Sequence, residues 1–480
     1  MEHPLSDDLT NESATELLSL MRAREVSPVE VVEAHLRRID QINPSINAIV
    51  TLADDAIDRA READAALSAG KAVGALHGLP LTIKDTIDTA GLRTTSGSRL
   101  RAKHVPDSDA PVVTRLKSAG AIILGKTNTP EMAIPYETDN PVFGRTNNPY
   151  DLQRTCGGSS GGEAAAIVAC LSPAGIGSDL SGSIRVPAHF CGIAGLKPTT
   201  GRIPMERHTP AAKGALSLGA CIGPMARRVD DLALIFSVIA DPTQFEISSG
   251  AQDDIHSDRE NLCRLKVAWY LDDGTAPVQE EVARAVETAG SALSDFGFDV
   301  TRANPPGVSK GSTLWIELFS RAAALEIRSM YRGREDEAGP GVASLLRDLD
   351  REPHDFEDRI ENAEHLAAAV LERERLREDL LRWMKTTPLI LAPVGAITAF
   401  EHGRERVNVN GESISIFRAF SYAQTFNVFG LPSVVVPVAR TAKGLPIGVQ
   451  IAGPPFEERT VLAAAVVIEK ALGGWQKADR

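Results

Sequence analysis

Apolar and polar positions follow two different periods along this chain, and the switches between them mark its elements. Near the N-terminus two amphipathic runs each open on a capping signature: Ser13 is followed three residues later by Glu16, and Ser27-Pro28 is followed by Glu30. A serine side chain takes up an amide of the first turn while the glutamate reaches back to the cap amide. Both runs are therefore predicted helices. Between residues 74 and 125 the pattern reads β, α, β: LPLTI leads into Lys84-Asp85, VVTRLKSAG has helical spacing, and AIILG is strand-like.

Residues 155 to 201 are dense in glycine and serine, but the helix-forming run EAAAIVACL interrupts them. That interruption favours a packed segment with tight turns over a flexible linker. From about 255 to 385 the composition becomes charged and helix-favouring, as in FEDRIENAEHLAAAVLERERLREDLLRWM, with a strand-like LKVAWYL at its start. This stretch is expected to form a helical cap. Strand-like runs return at PLILAPV, PSVVVPV and GLPIGVQIAG, before a final helix near residues 457 to 472.

Composition narrows the class. With 480 residues, 43% of them hydrophobic, the chain can bury a large core without disulfides or metal. Its formal charge of -13 is spread over 64 acidic and 51 basic residues, which disfavours a nucleic-acid backbone or an anionic membrane as partner. The five cysteines, Cys156, Cys170, Cys191, Cys221 and Cys263, are odd in number and contain no C-x-x-C pair. They read as reduced thiols of a cytoplasmic protein. The opening MEHPLSDDLT lacks the basic start and apolar core of an export signal, and no uncharged apolar run reaches the ~18 residues that a membrane-spanning helix needs.

The candidate chemistry begins at GGSSGG, residues 157 to 162. Four glycines around Ser159 and Ser160 allow positive φ and close backbone approach, so the loop can gather a hydroxyl and several N–H groups around one point. Alone, that pattern is a glycine-rich turn before a helix. A second glycine-flanked serine, Ser183, lies 24 residues beyond Ser159, and Lys84 ends an apolar strand where its amine is partly desolvated. Asp179 and Arg185 flank Ser183 and read as a buried pair fixing the loop. His189 suggests a Ser-His-Asp triad, but no Asp-containing motif accompanies it. Cys156 and Cys191 read as small buried hydrophobes.

Together these pieces resemble the amidase signature family. The resemblance runs through GLPLTIKD, GKTNTPEMA, FGRTNNPYDLQRTCGGSSGGEAAA, SIRVPAHFCGIAGLKPTTGR, FNVFGLPSVVVPV and GLPIGVQIAG. It implies that Ser183 is the nucleophile, that Ser159 is a bridging serine after a cis peptide bond from Gly158, and that Lys84 is the general base. It places an oxyanion hole at the backbone N–H groups of Leu180, Ser181, Gly182 and Ser183. Ser181 stands where the family usually has glycine, so a positive φ there would be strained. Lysine acts as a base only when neutral, so its pKa must fall from about 10.4.

The implied activity is hydrolysis of a non-peptide carboxylic amide through an acyl-enzyme on Ser183, with no cofactor and no metal required. The expected fold is α/β, a mixed twisted central sheet surrounded by helices with a helical cap. Its divisions are residues 1–70 as N-terminal helices packing on the core, 71–254 as the catalytic core, 255–385 as the cap, and 386–480 as strands and a helix completing one composite domain. Met132, Ile134, Tyr136 and Gly158 are the candidate substrate contacts, with residues 203 to 220 and the cap, and they favour an aryl or alkyl acyl group.

The expected partner is a small-molecule amide, with no nucleic acid and no integral membrane segment, and a homodimer is compatible with the sequence. Two other readings compete. The amidase subunit of a glutamyl-tRNA amidotransferase resembles the same family. The string Gly120 to Thr127 matches the phosphate-loop pattern G-x-x-x-x-G-K-[ST]. Such a loop should follow a strand and open a helix, whereas AIIL is itself strand-like and Pro130 follows.

Overall fold

Both N-terminal capping boxes form: Ser13 caps the helix Ala14–Ala23 and Ser27 caps Pro28–Ile46, each with its glutamate reaching back. A cap of this kind contributes ~1 kcal/mol, enough to set where each helix starts. The computed structural model describes residues 9–71, 73–134, 136–240, 262–350 and 356–478. The boundary expected at 254/255 lies outside the described residues. No helix among the described residues is long and apolar enough to cross a membrane.

The centre is an 11-stranded mixed sheet. From one edge its strands are Ile49–Leu52, Ile122–Thr127, Pro80–Lys84, Ala174–Asp179, Cys221–Ala226, Ala194–Lys197, Ser433–Arg440, Pro446–Ala452, Leu389–Pro393, Lys266–Trp269 and Asp299–Arg302. Ile122–Thr127, Pro80–Lys84 and Ala174–Asp179 run parallel, and Cys221–Ala226 reverses the direction beside them. Carboxyl ends of neighbouring parallel strands at such a reversal open a crevice that loops can line. Lys84 and Asp179 are the last residues of two of these strands.

Ala174–Asp179 is a central strand containing Gly175 and Gly177, although glycine ordinarily weakens strands. Here a side chain would not fit. A Cβ on Gly175 would lie 1.9 Å from Glu163 Oε1, and one on Gly177 would lie 2.8 Å from Ser160 Oγ. The two glycines thus let the helix Gly161–Val168, fully buried, approach the sheet.

The stretch expected as a helical cap is divided. Lys266–Trp269 and Asp299–Arg302 pair in parallel at the sheet edge, with the helix Glu280–Phe296 as their crossover. Parallel neighbours need such a crossover, so these strands belong to the sheet. The described helices between Gly311 and Met384 supply Trp315, Ile327 and Tyr331 to the region over the crevice. Gly120–Thr127 is no phosphate loop: Ile122–Thr127 is a strand, and buried Lys126 donates to Ile87 O and to Thr89 Oγ1.

Candidate active site

Lys84 is fully buried at the end of its strand, and its Nζ lies 2.7 Å from Ser159 Oγ and 3.0 Å from Ser178 Oγ. Burial lowers its pKa to about 7, against the opposing charges of Asp179 and Glu163. Glu163 accepts from Thr127 Oγ1 at 2.8 Å and from Thr82 Oγ1. Burial raises it to about 7. A carboxylate kept partly neutral pulls less on the lysine, so the amine stays available as a base near neutral pH.

Ser159 sits in the loop that opens the helix Gly161–Val168, after a cis peptide bond from Gly158. Ser160 N donates to the Ser183 carbonyl at 3.0 Å, tying the two serine loops together. Ser159 and Ser183 line one cavity with Met132, Ile134, Leu180, Met205, His208, Leu216 and Ile327. Of the candidate substrate contacts, Met132 and Ile134 line it, whereas Tyr136 and Gly158 do not. Tyr136 lies behind the turn instead: its hydroxyl donates to the Ser181 carbonyl at 2.8 Å, contacts Ser181 Oγ and accepts from Gln424 Nε2 at 3.2 Å. Its ring packs 4.6 Å from that of Phe420. A buried phenol finds partners for its hydroxyl wherever they exist, and here they are in the wall.

The turn from Leu180 to Ser183 is held from three sides. The Trp315 indole donates to the Leu180 carbonyl at 2.7 Å, Tyr136 holds the Ser181 carbonyl, and Asp179 Oδ1 accepts from Gly182 N at 2.8 Å. The last bond corrects one expectation: the Gly182 N–H is taken by Asp179 and is not free for an oxyanion. Among the described residues no backbone carbonyl takes the amides of Leu180, Ser181 or Ser183. Positive φ falls at Gly182 (99°) and not at Ser181, so the serine replaces glycine without backbone strain.

Asp179 and Arg185 form a fully buried pair, with Arg185 Nη2 to Asp179 Oδ1 at 3.0 Å. Burial opposes ionisation of Asp179, but the guanidinium charge and its hydrogen bonds hold the carboxyl well below the usual carboxylate range. Asn427 Nδ2 adds a bond at 2.9 Å, so the pair fixes the loop rather than a proton path. His189 is structural too: Gly448 N donates to its Nδ1 at 2.8 Å, and its Nε2 donates to the Ile397 carbonyl at 3.0 Å. Cys156 and Cys191 are buried thiols, as read, and burial pushes Cys156 up to about 12.

Sequence reasoning missed Ser178 and His208. Ser178 was visible only as one more serine in a glycine-rich run, and His208 lies 124 residues from Lys84 in sequence with no motif linking them. A larger cleft of about 530 Å³ by Asp55, Arg59, His77 and Lys117 includes none of Lys84, Ser159 and Ser183. Chemistry, and not volume, locates the site.

A mixed sheet wrapped by helices, with a serine pair and a buried lysine at its parallel strand ends, is the build of an amide-hydrolysing enzyme. The chain belongs to the Amidase family, whose model matches residues 30–462. It is 33% identical to an acylamidase of Rhodococcus erythropolis, with 96% of each chain covered. It is 32% identical to a glutamyl-tRNA(Gln) amidotransferase subunit of Heliobacterium modesticaldum, covering 97% of this chain and 98% of the relative. The solved structure of a bacterial aryl acylamidase of the amidase signature family superposes with a TM-score of 0.83 at 26% identity, over 96% of each chain.

Proposed function

We propose that Ser183 attacks the carbonyl carbon of a small amide bearing an apolar acyl group, and that Ser159 and Lys84 move the proton. Ser183 passes its hydroxyl proton to Ser159, which passes its own to neutral Lys84 as the new C–O bond forms. The proton returns along the same relay to the amide nitrogen as the C–N bond breaks, releasing ammonia or an amine. Water then attacks the acyl-enzyme by the same route and frees the carboxylic acid. The amides of Leu180, Ser181 and Ser183 are the candidate donors to the oxyanion, a contribution worth ~10²- to 10³-fold in rate per donor in comparable sites.

The observation that carries this reading is the 2.7 Å contact of buried Lys84 Nζ with Ser159 Oγ, at the cavity that Ser183 also lines. Labelling with a fluorophosphonate probe and peptide mass spectrometry tests it. The label should fall on Ser183 and hydrolysis should vanish in a folded Ser183→Ala variant. Full activity in that variant refutes the assignment.

The likeness to an amidotransferase subunit supports a second reading, in which glutamine is the amide donor and a partner protein receives the ammonia. The cavity argues against it. Glutamine brings an α-ammonium and an α-carboxylate, yet among the described residues no lysine or arginine lines the cavity, and the one lining carboxylate, Asp179, is paired with Arg185. Turnover of glutamine by the purified chain, compared with anilides and alkyl amides, separates the two.

A further inference from the structure

Lys84 has a second hydroxyl neighbour, and what lies behind that hydroxyl settles which way its proton points. Ser178 Oγ is 3.0 Å from Lys84 Nζ and 2.9 Å from Nε2 of His208. The other ring nitrogen, Nδ1, is 2.9 Å from the carbonyl oxygen of Pro210. A carbonyl only accepts, so Nδ1 carries the ring proton. Burial, helped by the charge of Lys84, lowers the imidazole to about 4, so near pH 7 the ring is neutral and Nε2 is bare.

A bare Nε2 accepts the single proton of Ser178. The Ser178 oxygen then meets Lys84 as an acceptor, and Lys84 meets it with an N–H. A neutral amine has two N–H bonds and one lone pair, so this arrangement leaves the lone pair for Ser159, 2.7 Å away. Were the Ser178 proton free to turn, it could occupy that lone pair and leave only an N–H facing Ser159. Asp179 and Glu163 act on Lys84, and Lys126 on His208, through their charges, but none of them is a hydrogen-bond partner of the Ser178 hydroxyl.

The His208 loop is fixed to the strand end that carries Lys84. His208 forms an antiparallel bridge with Ile87, Thr209 N donates to the Thr86 carbonyl at 2.8 Å, and Asp88 N donates to the Arg207 carbonyl at 3.0 Å.

We propose that His208 is a positioning residue for amide hydrolysis: by holding the Ser178 proton it keeps Ser178 an acceptor and reserves the Lys84 lone pair for Ser159. The proposal rests on Lys84 being the base.

The test is a mutant cycle on an amide that the wild type hydrolyses, with thermal unfolding as the check of folding. His208→Leu should lower kcat about tenfold with KM within about twofold, as expected when a base is misoriented while substrate binding stays intact. His208→Gln, whose side-chain carbonyl can accept from Ser178, should recover most of that rate. In a Ser178→Ala background, adding His208→Leu should change kcat by less than about twofold, because no proton remains to orient.

Equal losses from His208→Leu in both backgrounds, or a raised KM with unchanged kcat, overturn the proposal. His208→Asn, too short to reach Ser178, replaces the leucine variant if that does not fold. Lys84→Ala, measured alongside, keeps the two assignments apart. If it retains wild-type kcat, the base assignment falls and this one with it. If it is inactive while His208→Leu matches wild type, only the role of His208 falls.

Discussion

Replacing Lys84 by methionine should abolish hydrolysis and yet stabilise the protein at neutral pH. In the unfolded chain the amine titrates near its ordinary value of 10.5, whereas in the folded protein burial lowers it to about 7. The native state therefore binds fewer protons than the unfolded state between those values, and stability must rise with pH across that window. The penalty is full below pH 7, is ~4 kcal/mol at pH 7, and falls to ~1 kcal/mol by pH 10. Methionine removes it while filling a similar volume. It also forfeits the bonds to Ser159 and Ser178, at ~1 kcal/mol each.

The net gain at pH 7 is then ~1 to 3 kcal/mol, or roughly 1 to 3 °C in melting temperature for a chain of this size. By pH 10 the variant should be no more stable than wild type. Melting temperatures of both proteins from pH 6.5 to 10, with activity measured in parallel, decide the matter. A variant less stable than wild type at pH 7, or a difference that does not change with pH, refutes the claim that burial lowers the Lys84 pKa.

Four further outcomes follow from the same geometry. Because the base must be neutral and Lys84 titrates at about 7, kcat/KM should fall about tenfold per pH unit below 7 and level off above it; a profile flat from pH 5 to 9 contradicts this. Asp179→Ala leaves Arg185 buried without its carboxylate, frees Gly182 N and removes one acceptor of Asn427 Nδ2, so denaturant unfolding should show a loss of ~3 to 5 kcal/mol. Gly182→Ala forces a side chain at φ 99°, with its Cβ 2.7 Å from Ala423 Cβ, and should cut kcat by an order of magnitude or more through the turn next to Ser183. Tyr331→Phe removes the hydroxyl that donates to Glu131 at 2.7 Å, beside Met132 in the cavity wall; steady-state kinetics should show KM raised about fivefold with kcat nearly unchanged.

Part of this molecule is legible without any structure because its signals are local. The capping boxes at Ser13 and Ser27 are complete within four residues of chain, and both close as read. LPLTI predicts an apolar strand that ends in a partly desolvated lysine, and Lys84 is fully buried at that strand end. GGSSGG before EAAAIV announces a tight turn opening a helix, and the helix begins at Gly161.

What the sequence could not determine depends on partners far away in the chain. Ala174–Asp179 lies in the glycine- and serine-rich stretch that reads as a packed segment with tight turns, and it is a central strand whose Gly175 and Gly177 leave room for Glu163 and Ser160. Asp299–Arg302 lies in charged, helix-rich sequence, and it becomes a strand by pairing with Lys266–Trp269, which the sequence already marks as strand-like. Tyr136 sits behind the turn and not in the cavity because Ser181, Gln424 and Phe420 receive it there. Lys84, Ser159 and Ser183 were thus marked by short motifs, whereas Ser178 and His208 join them only in the fold. The direction of each proton between them was decided by tertiary structure, because the lone pairs of Lys84, Ser178 and His208 are assigned only when a bridge to Ile87 brings the His208 loop against the end of the Lys84 strand.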